Sequence, residues 1–180
     1  MKKVFPITDK KLIEKIKLYL KQKDTRSYIL FLIGINTGLR ISDILRLKVS
    51  DIKNKKVIHI KEGKTRKDNF FQLNMSVRKE VQKYLLRKNL GEYIFTPKFR
   101  NNALSRTTAH YIMKDIEREF KLENFGCHSL RKTFGYWHYK KYNDISVLMY
   151  TFNHSNELMT MKYIGLTQEI KDNYMKKLYI

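Results

Sequence analysis

Four stretches of this 180-residue chain hold side chains whose types and spacing could do chemistry on an anion. Arg40 follows Gly-Leu just after the apolar run YILFLIGI, residues 28–35. A guanidinium keeps its proton at any useful pH, so one this close to a core is costly unless an anion or a set of acceptors meets it. Further on, Lys61, Lys64, Arg66 and Lys67 crowd the polar turn KEGKTRKD. In CHSLRKTFGYWHYKK, His128 and Arg131 stand three apart where a helix is expected to start. That spacing puts them on one face, and the free N–H groups of a helix start favour an anion there. In TFNHSNELMTMKYIG, His154 precedes an expected helix and Tyr163 lies near its end. Each has a plain reading of its own. The lysines would be a solvated surface, the His–Arg pair a surface detail, and Tyr163, one of twelve tyrosines, core packing with its hydroxyl at the edge.

The elements that must position these groups are mostly helical. Thr8 or Asp9 can cap a helix to about Gln22, with Leu12, Ile13, Ile16, Tyr19 and Leu20 at helical spacing. A second runs from Tyr28 to about Asn36 and stops at Gly38, whose missing Cβ suits a left-handed turn. Ser42 can cap a short third, ISDILRLK, which leaves Arg40 on the turn between two helices. KKVIHI and NFFQL, around the cationic turn, read as a β-hairpin. Further helices are expected at about Ser76 to Lys88, Ser105 to Phe120, Ser129 to Lys141, Asp144 to Phe152, Ser155 to Tyr163 and Thr167 to Leu178. The fold class is therefore mainly α with a small antiparallel β-hairpin (α+β).

Composition bounds the partner. Lys and Arg number 38 against 17 Asp and Glu, a net charge of +21, which makes nucleic acid the leading partner and an anionic membrane surface its rival. The rival is weakened because no apolar run approaches the roughly 18 residues of a membrane span, and no signal-peptide pattern opens the chain. A single cysteine, Cys127, makes no internal disulfide and has no Cys partner for structural zinc, which fits a cytoplasmic protein. With 42% apolar residues, two prolines and no repeat, one domain with a proper core is expected.

Taken together, Arg40, a hairpin lysine, H-x-x-R, a second His and then Tyr nine residues later form the ordered set of the tyrosine recombinases, the phage integrase family. The sequence resembles that family's catalytic domain from about Val4 to the C-terminus, carried by NTGLRISDILRL, KTRKDNFFQL, HSLRKTFGYW, and NHS followed by KYIG. The resemblance implies a site-specific recombinase that cleaves and rejoins duplex DNA. Tyr163 would attack the scissile phosphorus to give a 3′-phosphotyrosine and a free 5′-hydroxyl, which keeps the bond energy for rejoining. Arg40 and Arg131 would clamp the non-bridging oxygens, with Asp43 bracing Arg40 from behind. Lys64 would protonate the leaving oxygen, although Arg66 stands where the family often has glycine, so Lys61 stays open. His128 would hydrogen-bond the phosphate or accept the tyrosine proton, and His154 would donate to a non-bridging oxygen. NHS replaces the commoner Gly-His-Ser. Lys61, Arg66, Lys67, Arg106 and Lys132 are read as further DNA contacts.

On the same resemblance no metal or other cofactor is required, since two arginines and a lysine supply the positive charge. His59, His110 and His138 read as structural or surface groups. Residues 1–180 read as a single catalytic domain without the family's N-terminal core-binding domain. The chain is then a fragment or a naturally short member, and its initiating Met and KK lead favour the second. The tail, residues 167–180, resembles the helix that family members dock on a neighbouring protomer, so a homo-oligomer on DNA is expected, with room for accessory DNA-bending proteins. Two other classes stand beside this one: a non-cutting DNA-binding protein with the same fold, and a type IB topoisomerase-like relaxing enzyme.

Overall fold

The computed structural model describes residues 4–64, 66–97 and 102–178, of which 168, 169 and 171–174 by backbone only. Asp9 caps the first helix, α1 (Lys10–Lys23), its carboxylate accepting from the Lys11 amide at 2.7 Å. Asp24 ends α1 and at once caps α2 (Thr25–Thr37), accepting from Ser27 Oγ at 2.6 Å, so the two helices meet without a loop. α2 buries Tyr28 through Gly34 without interruption. A helix apolar on all sides belongs inside a domain, and α2 packs against α1, α5 (Met75–Leu85) and α7 (Cys127–Tyr142). Its approach to α7 is close: a Cβ on Gly34 would lie 2.6 Å from the Leu130 side chain.

Gly38, at φ +65°, ends α2 in the left-handed conformation expected for it. Beyond it α3 (Ile41–Leu45) begins with Arg40, not Ser42, as its N-cap. A four-residue helix, α4 (Val49–Ile52), follows, which the sequence pattern did not suggest. The hairpin pairs β1 (Ile58–Lys61) with β2 (Asp68–Phe71), antiparallel, in the register Ile58 with Phe71 and Lys61 with Asp68. α6 (Arg106–Glu119) covers the far side of the main core. α8 (Ile145–Phe152), α9 (Glu157–Ile164) and α10 (Leu166–Lys177) close the described chain. The architecture is thus mainly helical with one two-stranded antiparallel sheet among the described residues, as expected, and the expected C-terminal helix runs through Lys177.

Two buried clusters result. The larger gathers α1 to α6, the hairpin and the inner face of α7. A smaller one joins Tyr136, Leu148, Phe152, Ile164 and Leu166 under α7, α8 and α9. Full burial of a side chain such as Phe152 or Ile164 contributes about 1.5–3 kcal/mol. The second cluster therefore fixes where α9, and with it Tyr163, sits against α7. Among the described residues no helix is long and apolar enough to cross a membrane.

Candidate active site

Arg131 is the deepest charge in the site, 3% exposed on the first turns of α7. Its Nη1 donates to the Gly38 carbonyl and its Nη2 to the Thr151 carbonyl at 3.2 Å, while its Cζ lies 4.6 Å above the Phe152 ring. The end of α2 and the end of α8 thus fix the guanidinium plane. Burial pulls its pKa down, Tyr163 opposes that shift, and Arg40 adds to it. These three groups therefore feel one another's charge although they come from three distant stretches of sequence.

Arg40 is half-buried and donates from Nη1 to Glu62 Oε2. The brace expected from Asp43 is supplied instead by Glu62. Asp43 faces the other way: its Oδ1 accepts from Arg46 Nη2 at 2.6 Å and from the Gly63 amide at 3.0 Å, so it anchors the hairpin turn. Glu62 is 5% exposed and also accepts from Asn69 Nδ2 at 3.0 Å. The sequence carried a signal for it. Period-two alternation puts 58, 60 and 62 on one strand face, where Ile58 is buried and Ile60 partly so. A carboxylate on that inward face needs a cation, and Arg40 needed an acceptor.

The turn itself spans 62 to 67, closed by Glu62 N to Lys67 O and Arg66 N to Glu62 O, both 2.9 Å. Arg66 has φ +54°. That conformation is why glycine serves at this position in the Lys-Thr-Gly-Lys pattern. Asn153, in place of the glycine of Gly-His-Ser, has φ +57°, and Asn is among the few other residues at ease there. Both departures keep the backbone and change only the side chain. Lys67 Nζ donates to Asn153 Oδ1, tying the hairpin to the residue before His154.

Lys64 is exposed and lines a cleft of about 650 Å³ with Arg40, Arg106 and His128. Lys61 lines a different cleft, with Asp43, Arg46 and Tyr93. His128 stands exposed at the start of α7; desolvation first, then Arg131, Lys132, Arg40 and Lys64, push its pKa down. His154 is lowered by burial and then by Arg131 and Arg40, and its Nδ1 lies 3.0 Å from Thr160 Oγ1. The His154 ring meets Tyr163 edge to face at 5.1 Å, and Phe152 meets it at 5.2 Å. Burial pushes the Tyr163 phenol up, while Arg131 and Arg40 draw it back. The structure therefore gathers Arg40, Lys64, His128, Arg131, His154 and Tyr163 around one open face.

Of the expected DNA contacts, Arg66, Lys67 and Arg106 are exposed on or beside this face and Lys61 is exposed away from its cleft. Lys132 is not a surface contact. It is 8% exposed, because one step past Arg131 rotates it inward, where residues 4–7 cover it. His59 and His110 lie on the surface, the first paired with Asp68 at 2.8 Å. His138 is partly buried between Phe134 and Tyr142.

Fold and site together define a tyrosine recombinase catalytic domain. Residues 7–169 match the phage integrase family. The chain is 38% identical over 166 residues to the probable integrase/recombinase YoeC of Bacillus subtilis, covering 92% of each. Among solved structures, XerA recombinase superposes with a TM-score of 0.75 at 21% identity over 98% of this chain and 67% of that one. XerH site-specific recombinase, bound to its palindromic difH substrate after cleavage, gives 0.74 at 20% identity over 98% and 54%. The chain belongs to the phage integrase family of site-specific recombinases.

Proposed function

We propose that the chain cuts and rejoins duplex DNA through a covalent 3′-phosphotyrosine on Tyr163. The observation that carries this is that Tyr163 and Arg131 flank the same Phe152 ring, at 5.2 and 4.6 Å, with the charge of Arg40 bearing on both. Two guanidiniums beside a phenol are suited to a pentacoordinate phosphorus: they neutralise the charge that grows on the non-bridging oxygens as the phenol oxygen attacks. Arg131, held by two carbonyls, keeps donors aimed without reorganisation. Arg40, held by Glu62, contributes the second clamp.

The proton inventory follows from the surroundings. His128, its pKa depressed, is neutral near pH 7 and able to accept the tyrosine proton. Nδ1 of His154 lies 3.0 Å from Thr160 Oγ1, which holds the ring, and His154 hydrogen-bonds a non-bridging oxygen. Lys64, on a turn whose base is fixed by Asp43 and Glu62, reaches the cleft and delivers the proton that the 5′-oxygen needs to leave. In the second half the 5′-hydroxyl of a new strand attacks the phosphotyrosine and the protons return. No step calls for a metal.

Duplex DNA as the partner is supported by the +21 charge and by the DNA-bound state of XerH. Assembly of several copies on DNA through residues 167–180 agrees with the exposed Ile170, Met175 and Leu178. A protein that only bound DNA would have no use for a half-buried tyrosine among arginines. The topoisomerase reading is separated by experiment. A supercoiled plasmid carrying two copies of a candidate site from the flanking genome should yield recombinants, and relaxation without recombinants would favour the relaxing enzyme.

A further inference from the structure

The catalytic reading leaves one buried cation without a role. Lys132 is 8% exposed, and its Nζ donates to the Val4 carbonyl at 2.9 Å and sits 5.0 Å from the centre of the Tyr163 ring. A lysine is seldom buried this far unless paired, and two of the contacts that seat this one are a backbone carbonyl and an aromatic ring. The Tyr163 ring is boxed by three groups: the His154 edge at 5.1 Å, the Phe152 edge at 5.2 Å and the Lys132 ammonium. Two of these are ring packing. Of these three only Lys132 brings a charge; Arg131 and Arg40 add theirs to the phenol.

The seat of that charge is built by residues outside the motif. Residues 4–7 run along α7. The Ile7 amide donates to Thr133 Oγ1 at 2.8 Å, Trp137 Nε1 donates to the Ile7 carbonyl at 3.0 Å, and the Phe5 amide donates to the Asn124 carbonyl at 3.2 Å. This strap covers the inner face of α7 and presents the Val4 carbonyl to Lys132. A cation within about 4–6 Å favours the charged form of an acid, and its attraction to an aromatic face grows as that ring gains electron density.

We propose that Lys132 is a positioning residue for the nucleophile: seated on the Val4 carbonyl, its ammonium holds the Tyr163 ring and stabilises the phenolate that attacks, so residues 4–7 act on the chemistry through it. The inference rests on Tyr163 being the nucleophile. Attack still forms the bond from phenol oxygen to phosphorus and breaks the bond to the 5′-oxygen; Lys132 takes up no proton and touches no phosphate.

The test compares wild type, Lys132→Met and Lys132→Arg for single-turnover cleavage across pH, beside DNA binding and melting. Lys132→Met, of similar length and apolar, should cleave about tenfold more slowly near neutral pH, one unit of phenol ionisation. Its pH–rate midpoint should rise, and Lys132→Arg should stay near wild type. A loss equal at every pH, or none, overturns the proposal, since a merely structural lysine would not move the midpoint. A second readout does not need cleavage. With 3-fluorotyrosine at position 163, the fluorine resonance of the DNA-free protein should titrate at higher pH in Lys132→Met; an unchanged midpoint also overturns it. If that midpoint moves while the wild type forms no adduct, the catalytic reading of Tyr163 has failed and the Lys132–Tyr163 contact has not.

Discussion

Arg40 and Arg131 meet the same electrostatic problem by different means. Arg131 uses carbonyls, which orient it without neutralising its charge, whereas Arg40 shares a carboxylate with the hairpin. Lys64 has the looser task, and its role can be separated from binding. If it protonates the leaving 5′-oxygen, a substrate with sulfur at that bridging position, which leaves without a proton, should restore most of the cleavage lost in Lys64→Ala. Rescue of Lys61→Ala instead would mean the acid comes from the other side of the hairpin. The histidines give a stability prediction. His128, His138 and His154 all have pKa values below the ordinary 6.5, so the fold prefers them neutral. An unfolded chain takes up protons near that pH before the folded one does. Stability is therefore intact above about 6.5 and lost as pH falls through it. Melting temperatures between about pH 7.5 and 5.5 should show this, with a smaller drop in a His128→Gln/His154→Gln variant; an equal drop would assign the effect elsewhere. The chemistry-bearing residues were legible because their types are unusual where they stand and their order is fixed. Glu62 was legible only through the alternation of 58, 60 and 62, and Lys132 was not, because a lysine after an arginine looks solvated until the strap of residues 4–7 is known.

At the scale of elements, the site depends on how closely α9 lies on α7. A Cβ at Gly135 would fall 2.6 Å from Ile164 and 2.8 Å from the Phe152 ring. Gly135→Ala should therefore cost about 1–3 kcal/mol by overpacking, read by urea unfolding. It should also slow cleavage, because Ile164 is the neighbour of Tyr163. A variant as stable and active as wild type would show that the second cluster does not set the position of α9. Helical spacing revealed the main helices to within a few residues, and the two apolar runs revealed the hairpin. What it missed has physical reasons. VSDI is a single turn, too short for a period to appear, and Asp24 joins two helices with no turn residues between them. The depth of Lys132 depended on a strap of non-regular chain, for which no periodic signal exists.

For the whole molecule, +21 on 180 residues supplies attraction to any polyanion, but attraction does not distinguish binding from cutting. The proposal that the chain cuts rests instead on the arrangement of one phenol, two guanidiniums, two imidazoles and a lysine around one open face. The most direct measurement uses a suicide duplex nicked near candidate sites from the flanking genome, so that the cleaved strand end diffuses away and the covalent state accumulates. The wild type should form a protein–DNA adduct whose peptide maps to Tyr163, and Tyr163→Phe should bind the same duplex nearly as well and form none. An adduct that persists in Tyr163→Phe and maps to Tyr150 or Tyr174 would contradict the assignment of the nucleophile on which the account stands.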